Sequence, residues 1–185
     1  RSLRILEEAT ALTSAAEDPE PWALVSINMA ETIKLLIAEG ETVQADAEAA
    51  LREVAEADEL LGFETFKGVA NAGLGDIHLR RAYEIAESSG RIGIGGGEPP
   101  PPGDKEQSEL DIADRHLKAA LELIDPRVHG WQLGDALDQL GQVYWLAGEA
   151  EKEIEIYRKA IKVQTEYSAS TLLVKSGFAL GRRLA

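Results

Sequence analysis

Cysteine is absent from the 185-residue sequence. That excludes disulfides, thiolate nucleophiles and zinc–thiolate centres, while saying little about compartment. Aromatic residues are scarce, at 5%, although hydrophobic residues reach 44%. Much of the apolar content is alanine, and side chains that small let helices approach closely, so the composition favours all-α packing. No apolar run approaches the roughly 20 residues that span a bilayer, and no segment alternates with the two-residue period of a strand. Basic residues are outnumbered 19 to 33, for a formal net charge of −14. Nucleic acid is therefore not an expected partner, because phosphate binding needs clustered Lys and Arg. The three histidines, His78, His116 and His129, lack metal-ligand spacing, and no Ser, His, Asp arrangement stands out. The expectation is a chain without metal, cofactor or enzyme activity.

The charge is unevenly spread. Residues 1–62 carry four basic and fourteen acidic side chains, whereas residues 152–185 carry seven basic and three acidic. An acidic head of this kind suits a basic partner, or the basic tail of another copy with Lys175, Arg182 and Arg183. The chain starts at Arg1, so a preceding signal peptide or lipid anchor stays open, and the expected setting is soluble, in the cytoplasm or periplasm.

Helical patterns fill most of the chain. Residues 3–16 read as a helix stopped by Asp18-Pro19 and Pro21. The next runs from Trp22 to Gly40, with Leu24, Ile27, Ala30, Ile33 and Ile37 on one face and Gly40 as its C-terminal cap. Further helices are predicted over 42–61, 64–89, from Ser108 to Asp125-Pro126, 131–147, 149–166 and 169–184. Ser108 and Asp111 have the spacing of a capping box. Eight helices joined mostly by short turns imply antiparallel hairpins.

Residues 134–163 contain the clearest unit, with Leu137, Leu140, Gly141, Tyr144 and Gly148 on a first helix and its turn, and Tyr157, Ala160 and Ile161 on a second. This unit resembles the tetratricopeptide repeat family. It departs from the family pattern at Glu153, in Leu137 at the leading Trp position, and in lacking the terminal proline near Thr165. A second unit places Leu74, Gly75 and His78 where the first has Leu140, Gly141 and Tyr144. Its partner helix is supplied by Ala113, Leu117, Ala120 and Leu121, ahead of Pro126. Residues 22–61 resemble a degenerate earlier hairpin, and 169–184, with Gly177, a closing helix. The resemblance implies an all-α, single-domain fold of antiparallel helical hairpins stacked as a short, right-handed, TPR-like solenoid. Each hairpin would bury its apolar face against the next.

On this reading GRIGIGGGEPPPPG, at 90–103, lies within a Gly/Pro-rich insertion, 90–107, at the tip of the middle hairpin. It is not a phosphate loop, because a helix precedes it, four prolines follow, and no Lys-Ser or Lys-Thr comes after the glycines. A polyproline ligand segment lacks a flanking Phe or a well-placed basic residue. The expectation is an exposed tip without regular structure over 91–106. His78 is expected in the core and His116 on the surface.

The resemblance also implies a concave binding face. Its positions fall on Asp135, Asp138, Gln139, Gln142 and Trp145, on Ala72, Asp76, Leu79 and Arg80, and on Ala30, Glu31, Lys34 and Ile37. Asp135 and Asp138 would repel the C-terminal carboxylate that chaperone-binding members of the family clamp. The expected function is a non-catalytic scaffold that binds a basic or amphipathic protein segment, with Trp145 as an exposed anchor. The alternatives are a regulatory or sensor domain of a larger protein, or a small-ligand-binding transporter accessory outside the cytoplasm.

Overall fold

The structure, a computed structural model, describes residues 8–9, 11–38, 44–60, 63–92, 98–167, 176–177 and 179–181. Every regular element among the described residues is helical. The helices are α1 (Pro19–Ala38), α2 (Gln44–Glu56), α3 (Glu64–Ser88), α4 (Asp104–Leu123), α5 (Pro126–Ala147) and α6 (Ala150–Glu166), with a 3-10 turn at Asp58–Leu60. Short helical pieces lie at 176–177 and 179–181. Most of the predicted 169–184 helix, and the Gly40 cap, lie outside the described residues.

Several boundaries differ from the sequence expectation, each for a local reason. Residues 11–17 form turns, so the helix expected over 3–16 does not run through them. The Thr13 hydroxyl donates to Ala9 O, the local side-chain bonding by which such residues compete with helix. Helix α1 starts at Pro19 rather than Trp22, because the first turn needs no proline N–H, and Trp22 N bonds Asp18 O at 3.0 Å. Helix α4 starts at Asp104. Ser108 and Asp111 therefore sit inside it and form no capping box; Gly103 occupies the cap position without a side-chain bond. Helix α5 starts at Pro126, where Asp125 accepts from Arg127 N, and kinks at His129 (φ −131°, ψ 44°). The predicted start at 131 corresponds to the segment beyond that kink.

Glycines set how the helices pair. A Cβ on Gly75 would lie 2.6 Å from Leu117, and one on Gly68 2.7 Å from Ile124. A Cβ on Gly141 would lie 2.6 Å from Tyr157, and one on Gly134 2.9 Å from Gln164. In each pair one helix advances seven residues while the other retreats seven, so α3/α4 and α5/α6 are antiparallel and in the same register. The first helices of both pairs also end alike. Gly90 (φ 70°) and Gly148 (φ 74°) take the left-handed conformation. Arg91 N bonds Ala86 O and Gly90 N bonds Glu87 O, just as Glu149 N bonds Tyr144 O and Gly148 N bonds Trp145 O. These are Schellman ends, which glycine reaches without steric cost. Ala113, Leu117 and Ala120 are buried against α3, as the displaced second helix required.

The apolar core has two lobes that share α3. Leu74 and Ile77 pack with Trp22, Ile27, Ile33, Leu51 and Val54. Leu79, Ala82 and Ala86 pack with Leu110, Leu117, Leu140, Tyr144 and Ile156. Helix α2 packs on α3 and α4 on α5, while α1 touches α3 and α3 touches α5. Leu24, expected on the buried face of α1, is instead half-exposed.

The insertion is anchored at its base, contrary to the expectation of a simple exposed tip over 91–106. Residues 104–107 belong to α4. Arg91 holds the carboxylate of Glu106 with two hydrogen bonds, one at 2.8 Å, and also donates to Pro100 O. Both charged side chains are more than nine-tenths buried. Ile92 packs on the core and Pro99 is buried. A charge pair removed from water in this way is costly to break from one side, because the remaining ion is left unpaired.

Two outcomes follow from this packing. Glu106→Ala should destabilise the protein by about 3–5 kcal/mol, read by urea unfolding followed by circular dichroism. Gly141→Ala forces a methyl group into the Tyr157 ring and should lower stability by about 1–3 kcal/mol, read as a fall in Tm by calorimetry.

Candidate functional site

Helices α1, α3 and α5 enclose a cleft of about 440 Å³, within the volume range of binding pockets. Helices α3 and α5 run parallel along it. Phe66 meets His129 near their N-terminal ends, with ring centroids 6.5 Å apart. Tyr83 meets Trp145 and Gln142 near their C-terminal ends, with ring centroids 6.2 Å apart and an OH–Oε1 distance of 3.4 Å. Glu31 on α1 reaches beside Gly73, at 3.6 Å from where its Cβ would stand.

The cleft receives Asp135, Asp138, Gln139 and Gln142 from α5, Ala72, Asp76, Leu79 and Arg80 from α3, and Glu31 from α1. The helical period accounts for this, since residues three and four apart share a face. Each acidic side chain that lines the cleft from α3 and α5 is steadied from one turn further along. Gln139 donates to Asp135 at 2.9 Å, Gln142 to Asp138 at 3.0 Å, and Arg80 to Asp76 at 3.1 Å.

Four expected positions behave differently. Asp138 is only 5% exposed and accepts from Ser176 Oγ at 2.9 Å. Gln164 in turn donates to Ser176 Oγ and to Gly134 O, both at 3.1 Å. Asp138 thus ties residue 176 and α6 to α5, and is a poor acceptor for a ligand. Trp145 is half-buried, stacked on Tyr83 and packed on the core, so it is not an exposed anchor. Ala30 is fully buried in the core. His116 is half-buried rather than on the surface. The side chains of Lys34 and Ile37, and residues Lys175, Arg182 and Arg183, lie outside the described residues.

The residue that sequence reasoning missed is Trp131, which lines the cleft and is 61% exposed. Its signal was present. Positions 131, 135, 138 and 142 follow the three-and-four spacing, but the repeat register from which the face was taken began at Asp135. Leu24, 50% exposed, lines the same cleft from α1. Along the three helices Leu24, Phe66 and Trp131 precede Glu31, Asp76 and Asp135 by about two, three and one turns, so the lining passes from apolar to acidic, with Arg80 as the single described cation among the lining residues.

A second polar cluster lies between α2, α3 and α4. His78 is 5% exposed, as expected of a core position, and its Nδ1 is 2.6 Å from Glu109 Oε2. Its ring stacks on His116 at 6.0 Å, and His116 Nδ1 is 2.8 Å from Asn71 Oδ1. Glu48 accepts from Arg81 at 2.5 Å and from Arg52 at 2.6 Å. No group of three metal-ligating side chains occurs among the described residues. The cluster thus acts as a polar seam that joins three helices.

This seam gives stability a pH dependence. Burial, then the neighbouring His78, Arg115 and Arg52, lowers the His116 pKa below its ordinary 6.5. Burial of Glu48 opposes ionisation, but the Arg81 hydrogen bond, with the charges of Arg81, His78 and Arg52, brings its pKa below 4.5. In both cases the unfolded chain takes up protons first. Stability present above the unfolded pKa is therefore lost as pH falls, starting near 6.5 for His116 and near 4.5 for Glu48. His116→Gln keeps an amide beside Asn71 and removes the titration, so its Tm should fall less than that of the wild type between about pH 7 and 5. Thermal melts across that interval check the difference.

No protein-family model matches the chain, and no curated protein matches it.

Proposed function

We propose that the chain is a non-catalytic scaffold whose helical pairs are degenerate tetratricopeptide-like hairpins, stacked as a short solenoid, and that its cleft holds a segment of a partner protein. The observation that carries the reading is convergence. Asp76, Arg80, Asp135, Asp138, Gln139 and Gln142, chosen from a repeat register alone, all line one cleft. The shared register of Gly68/Gly75 and Gly134/Gly141 against their second helices supports a repeated unit. So does the touching of α1 with α3 and of α3 with α5. Trp131 supplies the kind of large exposed side chain that dominates binding energy when a partner covers it. Asp138 contributes by bracing α5 rather than by meeting the ligand.

The test is selection of peptides from a random library on the immobilised protein. Selected peptides should bind wild type and shift the emission of Trp131 to the blue. They should lose at least tenfold in affinity to Ala72→Trp, which fills the cleft, and bind Glu122→Lys, on the exposed surface of α4, within about twofold; tenfold corresponds to about 1.4 kcal/mol. If every selected peptide binds Ala72→Trp as well as wild type, the cleft is not the binding site and the scaffold reading is wrong.

A further inference from the structure

The two ends of the cleft carry different chemistry, and that difference selects its occupant. At the apolar end, Leu24 and Trp131 stand half-exposed or more beside Phe66. Phe66 is itself packed between Phe63, at 6.3 Å, and His129, at 6.5 Å. At the other end, Glu31, Asp76 and Asp135 converge from three different helices, with Arg80 as the only described cation among the lining residues.

We infer that the cleft takes a basic partner segment in one orientation, with a large apolar side chain against Leu24, Phe66 and Trp131 and a lysine or arginine against Glu31, Asp76 and Asp135. The inference rests on the scaffold reading and goes beyond it, by naming the partner's chemistry and polarity. Charge complementarity chooses the cation. A carboxylate would meet three acids, and like charges brought together are rejected strongly. Geometry sets the spacing. From Leu24 to Glu31 is seven helical residues, about 10 Å, from Phe66 to Asp76 ten, about 15 Å, and from Trp131 to Asp135 four, about 6 Å. An extended chain covers these spans in about two to five residues.

The probe is therefore a fluorescein-labelled hexapeptide, Trp-Ser-Gly-Ser-Lys-Lys, with blocked ends, measured by anisotropy at low salt. It should bind at least tenfold more tightly than Trp-Ser-Gly-Ser-Glu-Glu and than Ala-Ser-Gly-Ser-Lys-Lys. Its affinity should fall tenfold or more in Trp131→Ala and in Asp135→Lys, whose side chains are not fully buried, and stay within twofold in Glu122→Lys. Raising the salt should weaken binding, since such charges are screened beyond about 8 Å at physiological ionic strength. A spin label at the lysine end should broaden the amide resonances of Glu31 and Asp76 before the indole of Trp131. Broadening of Trp131 first overturns the orientation. Equal binding of the glutamate peptide, lost in Trp131→Ala, overturns the charge preference and leaves the scaffold reading standing. Failure of the lysine peptide while library-selected peptides fill the cleft overturns the inference alone; failure of both overturns the scaffold reading too. Self-association at low salt that Trp131→Ala abolishes would make a second copy the occupant and remove the separate partner.

Discussion

Close approach to α3 on two sides is the constraint on which the rest depends. Gly68 and Gly75 let Ile124 and Leu117 of α4 come against the α3 backbone, and Gly73 admits Leu51 of α2, at 2.8 Å from the place a Cβ would take. One helix thereby belongs to both lobes of the core. Had any of these positions carried a larger side chain, the neighbouring helix would stand further off. The lobes would then separate, and the cleft between α1, α3 and α5 would open into a flat surface. Glycine costs helix stability in the interior of α3, about 1 kcal/mol each relative to alanine. Tertiary packing offsets that cost, because dense interiors gain dispersion contacts that a gap would forfeit.

Buried polar contacts then fix what apolar packing alone leaves adjustable. Arg91 and Glu106 close the base of the Gly/Pro stretch, so that α4 returns to α3 in register despite the intervening chain. Asp138, Ser176 and Gln164 join α5, α6 and residue 176 through a chain of side-chain bonds. His78, His116, Glu109 and Asn71 do the same between α3 and α4, with Glu48 reaching in from α2. Such groups hold because their partners are present, and each joins segments distant in sequence. They act as registry pins between helices whose facing surfaces are otherwise largely apolar.

The same division of labour explains the cleft. The helices behind it are joined by glycine contacts and polar pins. Its lining side chains are therefore positioned by backbone geometry rather than by loops. Asp135, Asp138 and Asp76 are each held by a residue one turn away, which limits the conformational entropy a ligand must remove on binding. An acidic surface alone would attract any cation. The lining of this cleft passes instead from Leu24, Phe66 and Trp131 to Glu31, Asp76 and Asp135.

The amino-acid sequence alone determined the all-helical class, most helix bodies and the shared face of Ala113, Leu117 and Ala120. Those features depend on local period and on residues four or seven apart, which a single helix displays. Nine of the thirteen positions taken from the repeat register line one cleft. Only the tertiary structure decided which of them a ligand could meet. Asp138 and Ser176 are 38 residues apart, and nothing local shows that the carboxylate is already engaged. Trp145 and Trp131 look equivalent on a helical wheel, yet Tyr83 from another helix covers the first and nothing comparable stacks on the second among the described residues. The start of α4 at Asp104 likewise follows from Arg91, fifteen residues before Glu106. Helix periodicity tells which way a side chain points; what waits there is set by other helices, and that is decided only when the chain has packed.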